Sequence, residues 1–212
     1  MDRRWNSGAI VVVVVETTGL SYDKGDRVIE IGLARFEKGQ LVDKWGTLIN
    51  PGRHIPAEAS AIHGIRDQDV ADAPSFRECL QEIENIAVDA QPAAYNAQFD
   101  RGFIYGEIDD ILYRGGCSLF YPAFPWLDPL VWARQIRGHY NNKLNVCCQD
   151  YGIELENAHR ATDDAIAAGR LLFVLGIEIQ PYTLRDMLAA QEKYKVKQDE
   201  EREAWRTKKN RT

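Results

Sequence analysis

The sequence has no long hydrophobic run, no regular cysteine spacing and no excess of positive charge. No apolar stretch reaches the roughly 20 residues that a membrane-spanning helix needs, and the first residues lack the apolar core of a signal peptide. We therefore expect a cytoplasmic protein that does not enter a membrane. The four cysteines show no CxxC spacing, and we interpret them as reduced packing residues. They are Cys79, Cys117, Cys147 and Cys148.

The charge balance is acidic, with a formal net charge of −6. This argues against a protein that coats nucleic acid through broad electrostatic attraction, because such binding needs surplus lysine and arginine. It does not exclude an enzyme that grips a few phosphates through metal ions held by carboxylates. The apolar fraction of 45% and the charged fraction of 27% are typical of an ordinary folded protein, so composition alone names no function.

The first part of the chain shows three strand patterns. Residues 9–15 form an apolar, β-branched run that ends in the turn residues TTG, which predicts a strand buried on both faces. Residues 28–36 and 41–49 are further strand candidates. The sequence EKGQ at 37–40 predicts an antiparallel hairpin between them.

Helical patterns follow from Pro56 onward, with one short strand candidate at residues 93–95. Ser75 followed by Glu78 predicts a capping box at the start of a helix. The predicted helices cover residues 75–88, 99–111, 129–136, 143–151 and 163–175. The sequence therefore predicts an α/β fold, with a mixed sheet flanked by helices.

The composition changes beyond Pro181, where lysine and glutamate dominate. We expect residues 1–178 to form the globular domain and residues 179–212 to form a charged helical extension with a frayed basic end. Helices rich in glutamate and lysine are usually solvated faces, so a simple cap is our default interpretation of the segment from Leu184 to Trp205. Docking to a partner protein or self-association through this segment is the alternative.

Four acidic or imidazole side chains lie at the ends of predicted elements, where α/β sheets commonly place their sites. They are Glu16, Asp100, His159 and Asp164. Each is weak evidence by itself, because a carboxylate at a helix N-terminus commonly caps free backbone N–H groups.

Four short strings around these residues strengthen the functional interpretation. They are residues 16–20 (ETTGL), 62–65 (IHGI), 96–100 (NAQFD) and 159–165 (HRATDDA). Their order and spacing resemble those of the DEDDh exonucleases, and the resemblance covers roughly residues 9–176. It implies a ribonuclease H-like fold whose mixed five-stranded sheet has an antiparallel meander followed by parallel strands. It also implies a 3′→5′ exonuclease that releases nucleoside 5′-monophosphates from the 3′ ends of DNA or RNA.

The resemblance implies hydrolysis with two divalent cations, Mg²⁺ or Mn²⁺, which activate water and neutralise the leaving oxygen. Such hard cations take oxygen ligands. Glu16 and Asp164 would hold the ion that activates water, and Asp100 would serve the second ion. His159 would be the general base, since an imidazole with a pKa of about 6.5 accepts a proton at neutral pH. The five-residue spacing from the histidine selects Asp164 over its neighbour Asp163.

The same resemblance implies a pocket for the terminal nucleotide of a single-stranded or 3′-terminal DNA or RNA. The residues that would form this pocket are Thr17, Thr18, Leu20, Glu58, His63 and Asn96. Apolar contact with a base face tolerates any sequence, which suits an enzyme that digests strands without reading them. The strings do not distinguish DNA from RNA.

The chain departs from the family at its first motif, Asp-x-Glu. Glu16 predicts an aspartate two residues earlier, yet the chain has Val14 there. Alternate residues of a strand point the same way, so the two carboxylates would have converged on the metals. In the family this aspartate bridges both ions. We do not expect Asp23 or Asp26, beyond the turn, to replace it, and we expect weak or single-metal occupancy.

Two functions stay open at this point. The first is an exonuclease whose catalysis is impaired by Val14. The second is a catalytically inactive module that binds 3′ ends or serves as a subunit of a larger assembly. A natural loss and an engineered substitution are both compatible with Val14.

Overall fold

The sheet is built around the apolar strand near the start of the chain. The strands are β1 (Ala9–Thr17), β2 (Val28–Glu37), β3 (Gln40–Leu48) and β4 (Gln91–Ala93). Their order in the computed structural model is β3-β2-β1-β4. β1 pairs antiparallel with β2 and parallel with β4, so its backbone is hydrogen-bonded on both sides. The structure describes residues 4–111, 118–121, 123–138, 140–156 and 158–209.

The predicted hairpin between the second and third strands is confirmed. Lys38 and Gly39 connect β2 to β3 with φ angles of 51° and 82°. Two successive positive φ values give the turn whose twist matches the twist of paired antiparallel strands. The mixed sheet flanked by helices is also confirmed, with the antiparallel meander first and the parallel strand after it.

The prediction of five strands is wrong for the described part of the chain, where the sheet has four. A single parallel bridge between Ala93 and Leu127 lies where a fifth strand would pair. The pairing stops after one residue because Asp128 caps a helix that begins at Pro129, and the chain leaves the sheet there. The short strand also lies two residues earlier than predicted, at Gln91–Ala93.

Eight α-helices are present in the described ranges. They are α1 (Ala57–His63), α2 (Asp67–Val70), α3 (Leu80–Ala87), α4 (Ala97–Asp110), α5 (Pro129–Arg137), α6 (Leu144–Asp150), α7 (Ala161–Ile179) and α8 (Leu184–Lys209). The predicted capping box is present, with Ser75 and Glu78 at the start of a 3-10 turn that leads into α3. None of the helices described here has the length and apolar character needed to cross a membrane.

Alternate residues of β1 face two separate cores. Val11 and Val13 pack towards α3 and α4, whereas Ile10 and Val12 pack towards α5 and α7. Val14 lies on the second face, half-buried at the edge of the same cluster. The strand therefore presents its even-numbered residues to α7, as the period of two predicts.

Three cysteines are free and buried, in agreement with the prediction that they are packing residues. They are Cys79, Cys147 and Cys148, and Cys117 lies outside the described residues. Helix α8 packs on α5, and its Met187 is fully buried. The division of the chain at residue 178 stays a prediction.

The first turn of α7 lies directly against the sheet because β2 and β3 each have a glycine there. A Cβ atom on Gly32 would lie 2.2 Å from the carbonyl carbon of Ala161, and one on Gly46 would lie 2.1 Å from Oγ1 of Thr162. No side chain fits between the helix and the sheet at these points. This close approach brings the residues that precede and begin α7 next to the end of β1.

We expect Gly32→Ala to lower the free energy of unfolding by about 3 kcal/mol, because the new methyl group meets backbone atoms that cannot move aside. Urea denaturation followed by circular dichroism measures this. The matched control is Gly102→Ala on the exposed side of α4, where a Cβ atom meets nothing within 4 Å. That control should be neutral or stabilising by up to about 1 kcal/mol. Equal stability of the two variants would contradict the close contact.

Candidate active site

Three side chains converge where the end of β1 meets the start of α7. One ligand atom of each of Glu16, His159 and Asp164 lies within 4.8 Å of the others. Glu16 is near the end of β1, His159 immediately precedes α7, and Asp164 is in the first turn of that helix. The close packing of α7 on Gly32 therefore produces the convergence of residues that are far apart in the sequence.

The two carboxyl groups of this cluster have raised pKa values. Burial, the nearby Asp164 and the nearby Glu30 raise the pKa of Glu16 to about 8. Burial raises the pKa of Asp164 to about 6, against the lowering effect of a hydrogen bond from His159. Carboxylates crowded together in a partly buried place repel each other when both are charged. Such a place favours a bound cation, which would compensate the charges.

His159 adopts a left-handed backbone conformation with φ of 68°. Its backbone N–H donates a hydrogen bond of 3.3 Å to the carboxylate of Asp164, and its side chain is exposed at the mouth of the cluster. An imidazole in this position can reach solvent and the carboxylates at once. It can therefore exchange protons with water or act as a nitrogen ligand.

Asp100, predicted to join the site, lies beside it within the core. Its side chain is buried, and Oδ1 accepts a hydrogen bond of 3.0 Å from the backbone N–H of Val15. Burial raises the pKa of this carboxyl well above its usual value, although the Val15 hydrogen bond opposes the shift. Among the described residues, Asp100 is not one of the three whose ligand atoms converge. Its contact with β1 nevertheless places it within one residue of both Val14 and Glu16 along the strand.

Val14 occupies the place where the sequence pattern predicted a carboxylate. It pairs with Gly32 across the ladder and packs against the cluster between β1, α5 and α7. Asp26 does not substitute for the missing group, because its carboxylate accepts a hydrogen bond from Ser21 and pairs with Arg53 at 3.6 Å. The site therefore presents an apolar branch where a second bridging ligand would lie.

Glu30 and Arg160 support the site, and the sequence reasoning missed both. Glu30 is opposite Glu16 in the β1–β2 ladder and is only 4% exposed. Its carboxylate accepts hydrogen bonds from Nε of Arg160 at 3.0 Å and from the backbone N–H of Ala161 at 3.2 Å. It therefore fixes the start of α7 relative to β2. The signal available in the sequence was an acid among the apolar residues that begin this strand, VIEIGLA at 28–34.

Asn96 is held in place by Asp128, another residue that the sequence reasoning missed. Asn96 has a left-handed backbone with φ of 75°. The carboxylate of Asp128 accepts hydrogen bonds from the N–H groups of Asn96 at 3.1 Å, Ala97 at 3.0 Å and Leu130 at 3.0 Å. One side chain thus satisfies the first turns of both α4 and α5. An aspartate before a proline signals a helix cap, but not this second helix.

Some of the predicted substrate residues have side chains that hold the local fold, whereas others are exposed and free to contact a ligand. The hydroxyl groups of Thr17 and Thr18 serve the turn after β1, since Thr17 donates to the carbonyl of Gly19 at 2.6 Å and Thr18 accepts from the N–H of Arg27 at 3.0 Å. Leu20, in contrast, is 83% exposed. It lines a cavity of about 410 Å³ together with Asn96, Phe99 and Phe103.

The remaining two candidates lie in or near α1. The side chain of His63 is buried, and its Nδ1 accepts a hydrogen bond of 3.1 Å from the N–H of Ile65. Burial lowers the pKa of His63, and the nearby His159 lowers it further, against a raising contact with the backbone of Thr17. Glu58 is exposed in the first turn of α1. Neither belongs to the cluster of Glu16, His159 and Asp164.

Comparison with known proteins agrees with this geometry. Residues 11–172 match the family model described as exonuclease, RNase_T. The chain belongs to this exonuclease family. The matched range begins in β1 and ends in α7, so it contains Glu16, His159 and Asp164.

Curated relatives of the exonuclease include two DNA polymerase III proteins of the PolC type. The protein from Clostridium perfringens is 33% identical over 186 residues, which cover 87% of this chain and 12% of the relative. The protein from Streptococcus mutans is 33% identical over 175 residues, which cover 82% of this chain and 12% of the relative. The chain therefore spans about an eighth of the length of these relatives.

Solved structures show the same fold. Exonuclease X in complex with 5′ overhanging duplex DNA has a TM-score of 0.66 and 21% identity, covering 86% of this chain and 99% of that one. The nuclease domain of 3′hExo, a DEDDh family member bound to rAMP, has a TM-score of 0.67 and 14% identity, covering 85% and 96%. The resemblance to DEDDh exonucleases is thus confirmed at the level of fold and family.

The exonuclease family depends on divalent cations, and the donor set of this chain fits one such ion. Two carboxylates and an imidazole converge, a combination that suits Mn²⁺ at least as well as Mg²⁺. A pair of ions about 3.5–4 Å apart needs a carboxylate between them. Val14 supplies none, and within the described residues the one group of converging ligand atoms that could hold an ion is Glu16, His159 and Asp164.

We expect the free energy of unfolding of the metal-free protein to fall as the pH rises from about 5 to about 8. The folded state raises the pKa of Glu16 from 4.5 to about 8, so it binds more protons than the unfolded state within this window. The stabilisation is complete below the unfolded pKa and is lost as pH rises through the folded pKa. Urea denaturation at several pH values measures it. Glu16→Gln should reduce the slope, with the remainder due to the raised pKa of Asp164, and an unchanged slope would contradict the burial of Glu16.

Proposed function

We propose that this protein is built as a 3′→5′ exonuclease that releases nucleoside 5′-monophosphates from DNA or RNA ends, and that Val14 impairs its catalysis. The observation that carries the proposal is the convergence of Glu16, His159 and Asp164 at the end of β1. Membership of the exonuclease family supports the reaction class. Relatives described as PolC-type DNA polymerase III support a proofreading context, in which the substrate is a DNA 3′ end.

The roles we propose follow from the position of each group. Glu16 and Asp164 would hold a divalent cation between the end of β1 and the first turn of α7. When bound, divalent cations supply a more acidic water and neutralise the charge that develops on the leaving 3′-oxygen. His159, exposed at the mouth of the cluster, would accept the proton of the attacking water at its imidazole nitrogen. Asp100 would support the second-ion side from within the core.

The terminal nucleotide would lie in the cavity beneath Leu20. This cavity is also lined by Asn96 and Phe99, and Leu20 itself lies three residues after the end of β1. The exposed leucine can contact a base face without hydrogen-bonding to it, which gives no preference for one base. Thr17 and Thr18 would shape this wall through the turn that their hydroxyl groups hold, rather than by contacting the strand.

We expect Val14→Asp to raise the rate of hydrolysis by about two orders of magnitude or more, because it adds the bridging carboxylate on the face where Glu16 lies. The assay uses 5′-labelled single-stranded DNA and RNA with Mg²⁺ or Mn²⁺. Adding His159→Ala should lower the rate of hydrolysis by the Val14→Asp variant by about 10²- to 10⁴-fold. Val14→Asn is the matched control, since it adds a polar side chain of the same size without the charge.

The alternative function is an inactive module that holds a 3′ end, and the observation that favours it is Val14 itself. A module of this kind would bind labelled strands yet stay inactive after Val14→Asp. That outcome would overturn the proposed exonuclease and leave the binding function.

Ion binding provides a test that does not depend on turnover. We expect isothermal titration with Mn²⁺ to show at most one tight site in the unaltered chain and a second site in Val14→Asp, because only the variant has a carboxylate to share between two ions. Val14→Asn should resemble the unaltered chain. Two tight sites without any substitution would show that another group replaces the missing aspartate.

A further inference from the structure

A polar groove lies between α8 and the helices that flank the site. It has a volume of about 250 Å³ and is walled by α8 on one side and by the starts of α4 and α5 on the other. Four cationic side chains from three helices line it. They are Arg101 of α4, Arg134 of α5, and Lys195 and Arg202 of α8.

The groove shares lining residues with two cavities, one of which contains members of the candidate active site. Arg134 also lines the cavity that contains His159 and Asp164. Asn96 also lines the cavity beneath Leu20. The groove therefore adjoins the cavities that a strand would occupy if its 3′ end lay in the active site.

The wall formed by α8 is fixed by hydrogen bonds. Gln191 accepts from the N–H of Asp128 at 2.7 Å and from Nε1 of Trp132 at 3.1 Å, and its Nε2 donates to the carbonyl of Trp126 at 2.9 Å. Two turns further along α8, Gln198 donates a hydrogen bond to the carbonyl of Val131 at 2.9 Å. The groove is thus formed before any ligand binds, which reduces the entropy that binding costs.

The cations of α8 that line the groove share one stripe of the helix. Lys195 and Arg202 are seven residues apart, and they follow the same face as Gln191 and Gln198. The stretch of α8 from Leu188 to Arg202 is about 21 Å long at 1.5 Å per residue. It can therefore contact several successive phosphates rather than one.

The acidic side chains of the groove cancel these charges only in part. The carboxylate of Asp128 is occupied by three backbone N–H groups, and Asp199 pairs with Arg202 at 3.5 Å. Glu192 also lines the groove, and its side chain is exposed. Across the described residues, Lys195 has no carboxylate partner within ion-pair distance. The groove carries four cations against three carboxylates in a protein whose net charge is −6, so the cations are concentrated where a strand would leave the site.

We propose that this groove binds the sugar-phosphate backbone of single-stranded nucleic acid on the 5′ side of the terminal nucleotides, with α8 as its outer wall. The proposal rests on the proposed function for the direction of the strand. It assigns a binding role to a helix that lies beyond the matched range of the exonuclease family, which ends at residue 172. Lys195 and Arg202 would contact phosphates without reading bases.

The test compares strands of two lengths. Binding of a trinucleotide and of a dodecanucleotide, as single-stranded DNA and RNA, is measured by fluorescence anisotropy at several salt concentrations without divalent cations, so that no strand is cleaved. The groove variant is Lys195→Ala with Arg202→Ala. The matched control is Lys193→Ala with Lys197→Ala, which removes two cations from the same helix outside the groove. Each pair of substitutions removes one ion-paired cation, because Lys197 pairs with Glu201 as Arg202 pairs with Asp199.

We expect the groove variant to bind the dodecanucleotide about tenfold more weakly at low salt, with a salt slope smaller by roughly 1.4, because two phosphate contacts are lost. Its affinity for the trinucleotide should not change, which also shows that the variant is folded. The control should retain both affinities.

Three outcomes would overturn the proposal. Equal losses in the groove variant and the control would assign the effect to net charge alone. Equal losses for the short and the long strand would place the two residues at the catalytic end. Unchanged affinity for the dodecanucleotide, including the case of no binding at any length, would leave an acidic peptide as the ligand to test. Length-dependent binding that persists while Val14→Asp stays inactive would overturn only the proposed catalysis.

Discussion

The contact between the first turn of α7 and the second strand is the constraint on which the site depends. Gly32 allows backbone to lie against backbone, and the buried carboxylate of Glu30 holds the start of the helix through Arg160 and Ala161. A buried carboxylate would be costly without these partners. Because these contacts fix the start of the helix, His159 and Asp164 are brought to Glu16, and residues from two distant parts of the chain form one cluster.

The elements that sequence patterns predicted best are those with strong local signals. The apolar run of β1, the EKGQ hairpin and the capping box at Ser75 all depend on neighbours within a few residues, and all are present. The fifth strand was wrong because the cap at Asp128 ends the pairing at Leu127 after a single bridge. The sequence has no periodic pattern that shows whether the residues around Leu127 continue a strand or begin a helix.

The site shows the same division. The motif strings named Glu16, His159 and Asp164, and the fold brings these together. They could not show that the hydroxyl groups of Thr17 and Thr18 hold a turn, nor that Glu30 and Asp128 act as supports, because these roles depend on contacts with residues up to 131 positions away. Supports of this kind are seen only when the helices have been placed. The amides of α8 that bind to α5 belong to the same group.

Val14 lies at the edge of a core cluster, half-buried and opposite a glycine, so we expect the fold to tolerate another small side chain there. The packing that positions the cluster is supplied by other residues. A substitution at position 14 can therefore change the set of metal ligands while the fold stays the same. In genetic terms, valine and aspartate codons can differ by a single base, so a lineage could lose or regain the carboxylate in one mutational step while keeping the scaffold and the proposed strand-binding groove.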